Sequence, residues 1–229
     1  MGGARPLNAD RVAAALIFAT LIAGCSGTAS IDPAAIADQR SVGITATGCG
    51  PTPAFGAGAV IGDGLIATSA HVVAGATGLV VQTHDGETHA AHTVAIDPDQ
   101  DVALIEASEL DIEPIEIGEA DAGDQVTFVG FRDGERERRS AEIRRRVNLS
   151  TGDIYRAGDV DRPGYELRGS IDSGDSGAIL VNDQGEAVGV IWSSSIRVDD
   201  RGWAVRMEAV ADLIMDPGAD PSDFECAPG

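Results

Sequence analysis

From Ser41 onward, apolar residues fall in short runs rich in Val, Ile and Ala, each bounded by Gly, Asp or Asn. GAGAVIGDGLIATSAHVV (56–73), GLVVQTHDGETHAAHTVAI (78–96), DVALIEA (101–107), DQVTFVGF (124–131), GYELRG (164–169), GAILVNDQGEAVGVIWSSS (177–195) and GWAV (202–205) all follow this pattern. Such β-branched stretches between turn residues predict strands. HDG and NDQG read as hairpin turns within them. Many short strands at this spacing predict an all-β sandwich or barrels. A helical period appears in RMEAVADLIM (206–215), which places Met207, Val210, Leu213 and Ile214 on one face. Residues 216–229 read as a coil that returns Cys226 to the domain.

Ahead of the β pattern the chain changes character. Arg5 and Arg11 precede the apolar run VAAALIFATLIAG, which ends at Cys25. The run is shorter than the roughly 20 residues that span a bilayer, so residues 1–24 read as a signal peptide. LIAGC, with small Ala23 and Gly24 before the cysteine, resembles a bacterial lipobox and makes Cys25 a lipid-attachment site. Cleavage of a plain secretory signal nearby is the alternative. Residues 25–41 are small, polar and Pro-containing, as a tether between lipid and domain would be. The expected organisation is signal 1–24, tether 25–41 and domain 42–229, exported and held at the extracytoplasmic face of the membrane. Export leaves Cys49 and Cys226 in an oxidising compartment, where an even pair suggests one disulfide; two free thiols are the alternative.

With 229 residues and 43% hydrophobic content, the chain can bury a real core as one domain or two lobes. The formal net charge is −21, and every one of the 16 basic residues is Arg. That surface repels phosphate backbones and argues against nucleic acid as a partner. Seven Arg crowd FRDGERERRSAEIRRRV, between Arg132 and Arg146. An anionic docking patch is one reading. A solvated hairpin in which Glu135, Glu137 and Glu142 answer the arginines is the other.

SIDSGDSGAIL (170–180) places Ser176 between glycines, in a turn ahead of an apolar run. A serine hydroxyl becomes a nucleophile only when a base takes its proton, and that base needs an acid to hold its tautomer. The chain has four histidines. His84, His89 and His92 fall in one predicted hairpin and read as surface residues rather than metal ligands. His71 ends an apolar strand in ATSAHVV. In DPDQDVALIEA, Asp101 directly abuts the VALI strand, where a carboxylate would be buried and held. The chain order His71, Asp101, Ser176 separates this arrangement from the orders of α/β-hydrolases and subtilisins.

TSAHVV, DVALIEA and GDSGA resemble the three catalytic segments of trypsin-like serine proteases. YELRGSIDSGDSGAILVNDQGEAVGVIW, the upstream GDIY and the flanking cysteines are similar to the protease domain of actinobacterial membrane-anchored, acid-resistance periplasmic proteases. The resemblance implies two six-stranded β-barrels with a C-terminal helix, and peptide-bond hydrolysis by His71, Asp101 and Ser176 without cofactor or metal. It implies an oxyanion hole from the N–H groups of Gly174 and Ser176. It implies a substrate pocket with Ser170 at its floor and walls near Trp192, Ser193 and Ser194, suited to uncharged side chains. Ala178 and Ile179 depart from the family, where glycine and proline are usual. A lipid in place of several membrane helices also departs from these relatives. Protein or peptide substrates, a membrane held through lipid, and a monomer are expected; a catalytically silent binding module is the alternative.

In digestive relatives the aspartate before the nucleophile pairs with a new N-terminal ammonium. Here a lipid would block the mature N-terminus, and Arg40-Ser41-Val42-Gly43 is only a faint cleavage site. Asp175 therefore needs another cation. Arg168 or one of Arg144, Arg145 and Arg146 is expected, in a domain active without processing.

Overall fold

The computed structural model describes residues 31–228; the expected signal, Cys25 and the first part of the tether lie outside the described residues. Twelve strands form two closed antiparallel barrels of six. The first comprises β1 (Ser41–Thr47), β2 (Ala54–Val60), β3 (Leu65–Thr68), β4 (Gly78–Gln82), β5 (Thr88–Asp97) and β6 (Val102–Glu106), in the order β1-β2-β3-β6-β5-β4. The second comprises β7 (Gln125–Arg132), β8 (Glu135–Gly152), β9 (Asp159–Arg168), β10 (Ile179–Val181), β11 (Ala187–Ser194) and β12 (Arg201–Arg206), in the order β10-β11-β12-β9-β8-β7. Pairing of Val181 with Thr127 closes the second barrel. Closure removes free sheet edges, which an open sheet would expose to pairing with other chains. The two expected hairpin turns join β4 to β5 and β10 to β11.

Each barrel fills its interior with its own apolar residues. Ile44, Ile66, Val81 and Ile105 pack within the first. Phe128, Ile143, Tyr165, Leu167 and Ile191 pack within the second. A third cluster joins the two: Ala59, Ala67 and Leu104 of one barrel meet Val129, Ile179 and Val190 of the other. Helix α3 (Met207–Met215) seals that seam with Met207, Val210 and Leu213, while Ile214 stays exposed. β6 packs on α3, which explains why its VALI core is buried at every position rather than alternating.

Two short helices were not legible in the pattern. Helix α2 (Ala70–Val73) is a single turn between the barrel strands β3 and β4. Helix α1 (Pro33–Arg40) lies inside the stretch expected as tether. The Asp32 carboxylate accepts from the N–H groups of Ala34 and Ala35 at 3.1 and 3.2 Å, and Pro33 opens the first turn. Ala37 is fully buried, and the helix packs against β7 and β10. Arg136 then clamps the junction with β1, donating to the carbonyls of Ser41 (2.8 Å) and Asp38 (2.7 Å). The folded domain therefore extends N-terminal of residue 42. No helix among the described residues is long and apolar enough to cross a membrane.

Candidate active site

Asp101 sits at the corner between β5 and β6 with φ +56°, a left-handed conformation that aspartate tolerates better than most residues. Its carboxylate is almost fully buried and holds His71 twice. Oδ1 accepts the His71 backbone N–H at 2.9 Å, and His71 Nδ1 lies 2.9 Å from Oδ2. The Asp101 carbonyl accepts from the Ala70 N–H at 3.2 Å, so the one-turn helix is fastened to the same corner. Burial pulls the His71 pKa down, but the charge and hydrogen bond of Asp101 together outweigh it. The net pKa lies above the ordinary histidine value, with the Arg162 charge opposing the rise.

Ser176 is carried by two consecutive turns. The Asp175 N–H donates to the Asp172 carbonyl at 3.1 Å, and the Ala178 N–H donates to the Asp175 carbonyl at 2.9 Å. Gly174 and Gly177, each at the third position of its turn, have φ +96° and +82°. These are type II conditions, which a side chain would strain. The Ser176 carbonyl accepts from Ala57 N–H of β2 at 2.8 Å, pinning this loop of the second barrel onto the first. Among the described residues, the N–H groups of Gly174 and Ser176 have no hydrogen-bond acceptor. Both residues face a cleft of about 340 Å³ that is also lined by Phe55, His71, Val72 and Arg132. His71 and Ser176 make no direct hydrogen bond, and such contacts in free enzymes commonly tighten only when substrate binds.

Asp175 is buried beneath this loop. Its Oδ2 accepts from the Asp172 N–H at 2.7 Å and lies 2.7 Å from Arg139 Nη1. The cation is thus Arg139, from β8, and neither Arg168 nor the 144–146 cluster. Those are engaged elsewhere: Arg168 with Glu142, Arg144 and Arg145 with buried Glu166, and Arg146 with Glu119. Burial raises the Asp175 pKa, and the Asp172 N–H and Arg139 offset this only in part. Of the arginine-rich stretch, Arg136 and Arg138 bind α1, and Arg132 pairs with Asp172. The arginines are answered mostly from other elements. Of the three glutamates expected to answer them, only Glu137 pairs with one of the seven, Arg139.

The expected pocket residues stand apart from this cleft's lining. The Ser170 hydroxyl lies 3.4 Å from Asp172 Oδ2. Ser193 and Ser194 pair across the ladder with Trp203 and Gly202, and Gly202 has no room for a Cβ because Ile171 packs on it. The Trp192 ring lies beside Trp203, at 6.5 Å between centroids, with the Arg162 guanidinium 4.6 Å from its own centroid. Ala178 and Ile179 are both buried in core clusters. A disulfide joins Cys49 to Cys226, with Cα atoms 5.5 Å apart across 177 residues of sequence. It lays the C-terminal coil against Gly75, just beyond the helix that carries His71. His84 lies in the β4–β5 turn and His89 and His92 on β5.

Sequence reasoning missed Arg139 and Arg162. Each shares its strand with other arginines, and the groups that hold Arg162 and the Asp175 that meets Arg139 come from distant elements, so no local spacing marks them.

A double barrel that gathers a histidine, its aspartate and a turn-borne serine at the seam is the architecture of trypsin-like peptidases. The trypsin-like peptidase domain family matches residues 56–190, and the chain belongs to that family. Serine protease Rv3671c of Mycobacterium tuberculosis (strain ATCC 25618 / H37Rv) is 32% identical over 170 residues, 72% of this chain and 42% of that protein. The chain spans less than half the length of the curated relatives it matches. The crystal structure of the Rv3671c protease in its active form superposes with a TM-score of 0.79 at 28% identity, covering 86% of this chain and 89% of that one. Its inactive form gives 0.71 at 30% identity, covering 82% and 93%.

Proposed function

We propose that the protein is an extracytoplasmic serine endopeptidase whose triad is His71, Asp101 and Ser176. One observation carries this reading: Asp101 grips both the backbone and the ring of His71 in the cleft that Ser176 and Gly174 line. Asp101 holds the proton on Nδ1, leaving Nε2 to accept the Ser176 proton. The Ser176 oxygen then bonds to the scissile carbonyl carbon. The free N–H groups of Gly174 and Ser176 stabilise the oxyanion, an effect worth roughly 3–4 kcal/mol for a single donor. His71 returns the proton to the leaving amine as the C–N bond breaks, and water hydrolyses the acyl-enzyme by the same route.

The substrate side chain next to the scissile bond is uncharged and small to medium in this reading. Ser170 offers no charge, and Asp172 beside it is already paired with Arg132 and Arg139. In this reading the signal and lipobox features of residues 1–25 support export of the domain and a tether to the membrane through Cys25. A fluorophosphonate probe tests the chemistry: it labels wild type, and Ser176→Ala abolishes both labelling and peptide hydrolysis. A Ser176→Ala protein that still hydrolyses peptides overturns the assignment. A peptide library that returns a clear Arg or Lys preference overturns the pocket reading.

A further inference from the structure

Arg162 is an unusual cation for its surroundings. It belongs to β9 of the second barrel and is 2% exposed. Among the described residues it forms no ion pair. A buried guanidinium is costly unless its N–H groups and charge are satisfied. Here Nε and Nη2 are met by backbone carbonyls, and one face of the group by a ring. Nε donates to the Asp99 carbonyl at 2.5 Å, and Nη2 to the carbonyls of Gly152 at 3.2 Å and Pro98 at 3.5 Å. The other side of the group lies over Trp192, where a cation is attracted to the π face.

Pro98 and Asp99 lead directly into Asp101, whose left-handed backbone must be held by its surroundings. Other bonds hold the corner too, among them the Ala70 N–H on the Asp101 carbonyl and the His71 N–H on its carboxylate. Asp97 accepts from the N–H groups of Asp99 and Gln100, the Pro98 carbonyl also accepts from Ile154, and Gln100 donates to the Asp161 carbonyl. Only the arginine also stacks on β11.

We propose that Arg162 is a positioning residue for the Asp101–His71 pair, a strut that ties the Pro98–Asp101 corner of the first barrel to β9 and β11 of the second. The inference rests on the peptidase reading above. Its planar fork meets three carbonyl acceptors at once through Nε and Nη2, a fixed geometry that a lysine ammonium lacks. Its charge also acts within the site. Asp101 gives the strongest opposing charge that Arg162 feels, ahead of Asp97, Asp153 and Asp99. On His71, Asp101 raises the pKa and Arg162 lowers it, while Arg132 and Asp133 from the β7–β8 hairpin complete the charged lining of the cleft. Removing the Arg162 charge therefore raises the His71 pKa. Since catalysis needs neutral His71, the acid limb of kcat/KM moves to higher pH.

The test is steady-state kinetics per titrated active site for wild type, Arg162→Met and Arg162→Lys. Wild type that fails to label with the fluorophosphonate sinks the peptidase reading itself. Labelled wild type with indifferent variants sinks only this inference. Arg162→Met is expected to lose up to about 100-fold in kcat, the scale of a small misplacement of a reacting group. Its KM stays within about twofold, because the residue does not touch substrate, and its acid limb shifts upward in pH. Arg162→Lys keeps the wild-type acid limb and recovers part of kcat. A folded Arg162→Met protein with wild-type kcat and acid limb overturns the proposal. If Arg162→Met does not fold, a Lys variant with lowered kcat at an unmoved limb supports it, and one with wild-type kcat overturns it. Failure of both variants to fold makes Arg162 a stability residue and also overturns it.

Discussion

Asp175 Oδ2 and Arg139 Nη1 lie 2.7 Å apart, with the carboxylate 2% and the guanidinium 12% exposed. Asp175 immediately precedes Ser176, the proposed nucleophile, so this pair anchors the turn that carries it. The cation comes from the first part of β8, and the pair needs no new N-terminus.

Replacing Arg139 with Gln leaves the carboxylate buried without its cation. Breaking a buried pair from one side costs about 3–5 kcal/mol. The Asp175 pKa already lies above the ordinary carboxylate value, chiefly through burial, and losing Arg139 raises it further. A carboxyl whose folded pKa is raised binds its proton more tightly in the native state. Stability therefore falls as pH rises from the ordinary value through the folded one. The Arg139→Gln deficit is expected to be smallest in acid and to grow toward neutrality. Urea unfolding at a series of pH values checks this; a deficit that is flat with pH refutes it.

Gly130 lies on β7 opposite Glu137, and a Cβ there would overlap Asp175 Oδ1. Gly130→Ala is expected to push the carboxylate off Arg139 and cost about 1–3 kcal/mol, the usual range for overpacking. The titratable fraction of active sites should drop as well. An alanine variant with wild-type stability and full titration would show that the turn accommodates the displacement.

The Arg40–Ser41 bond joins α1 directly to β1, and Ser41 is 1% exposed with its carbonyl held by Arg136. A protease would have to unfold this junction to cut it. The intact chain is expected to titrate fully, and Arg40→Gln to titrate equally, with mass spectrometry showing no cleavage. An intact protein that titrates only after cleavage near Arg40 would make the enzyme a zymogen.

The Cys49–Cys226 bond closes a loop of 177 residues, nearly the whole domain. Chain entropy for so long a loop caps the contribution near 5 kcal/mol, with about 2–4 kcal/mol typical. Reduction is expected to lower the thermal midpoint by roughly 5–15 °C for a domain of this size. Equal midpoints with and without reductant would mean that the coil stays docked on Gly75 without the bond.

Local pattern alone determined much of this protein. Alternating β-branched runs and Gly-Asp turns specify short strands because side chains alternate across a strand and tight turns need particular backbones. His71, Asp101 and Ser176 stood out because each sits in a short segment whose neighbours already serve it: a strand end, a strand start, a glycine turn. The capped helix α1 escaped because its eight residues carry too few apolar positions to show a period, and it is held by β7 and β10. The partners of the arginines could not be read from order along the chain. Arg139 finds Asp175 across 36 residues and Arg162 finds Asp99 across 63. Such pairings depend on barrel closure and on how the two barrels meet along their seam. Composition supplied seven nearby arginines, and only the tertiary structure decided which groups each one met.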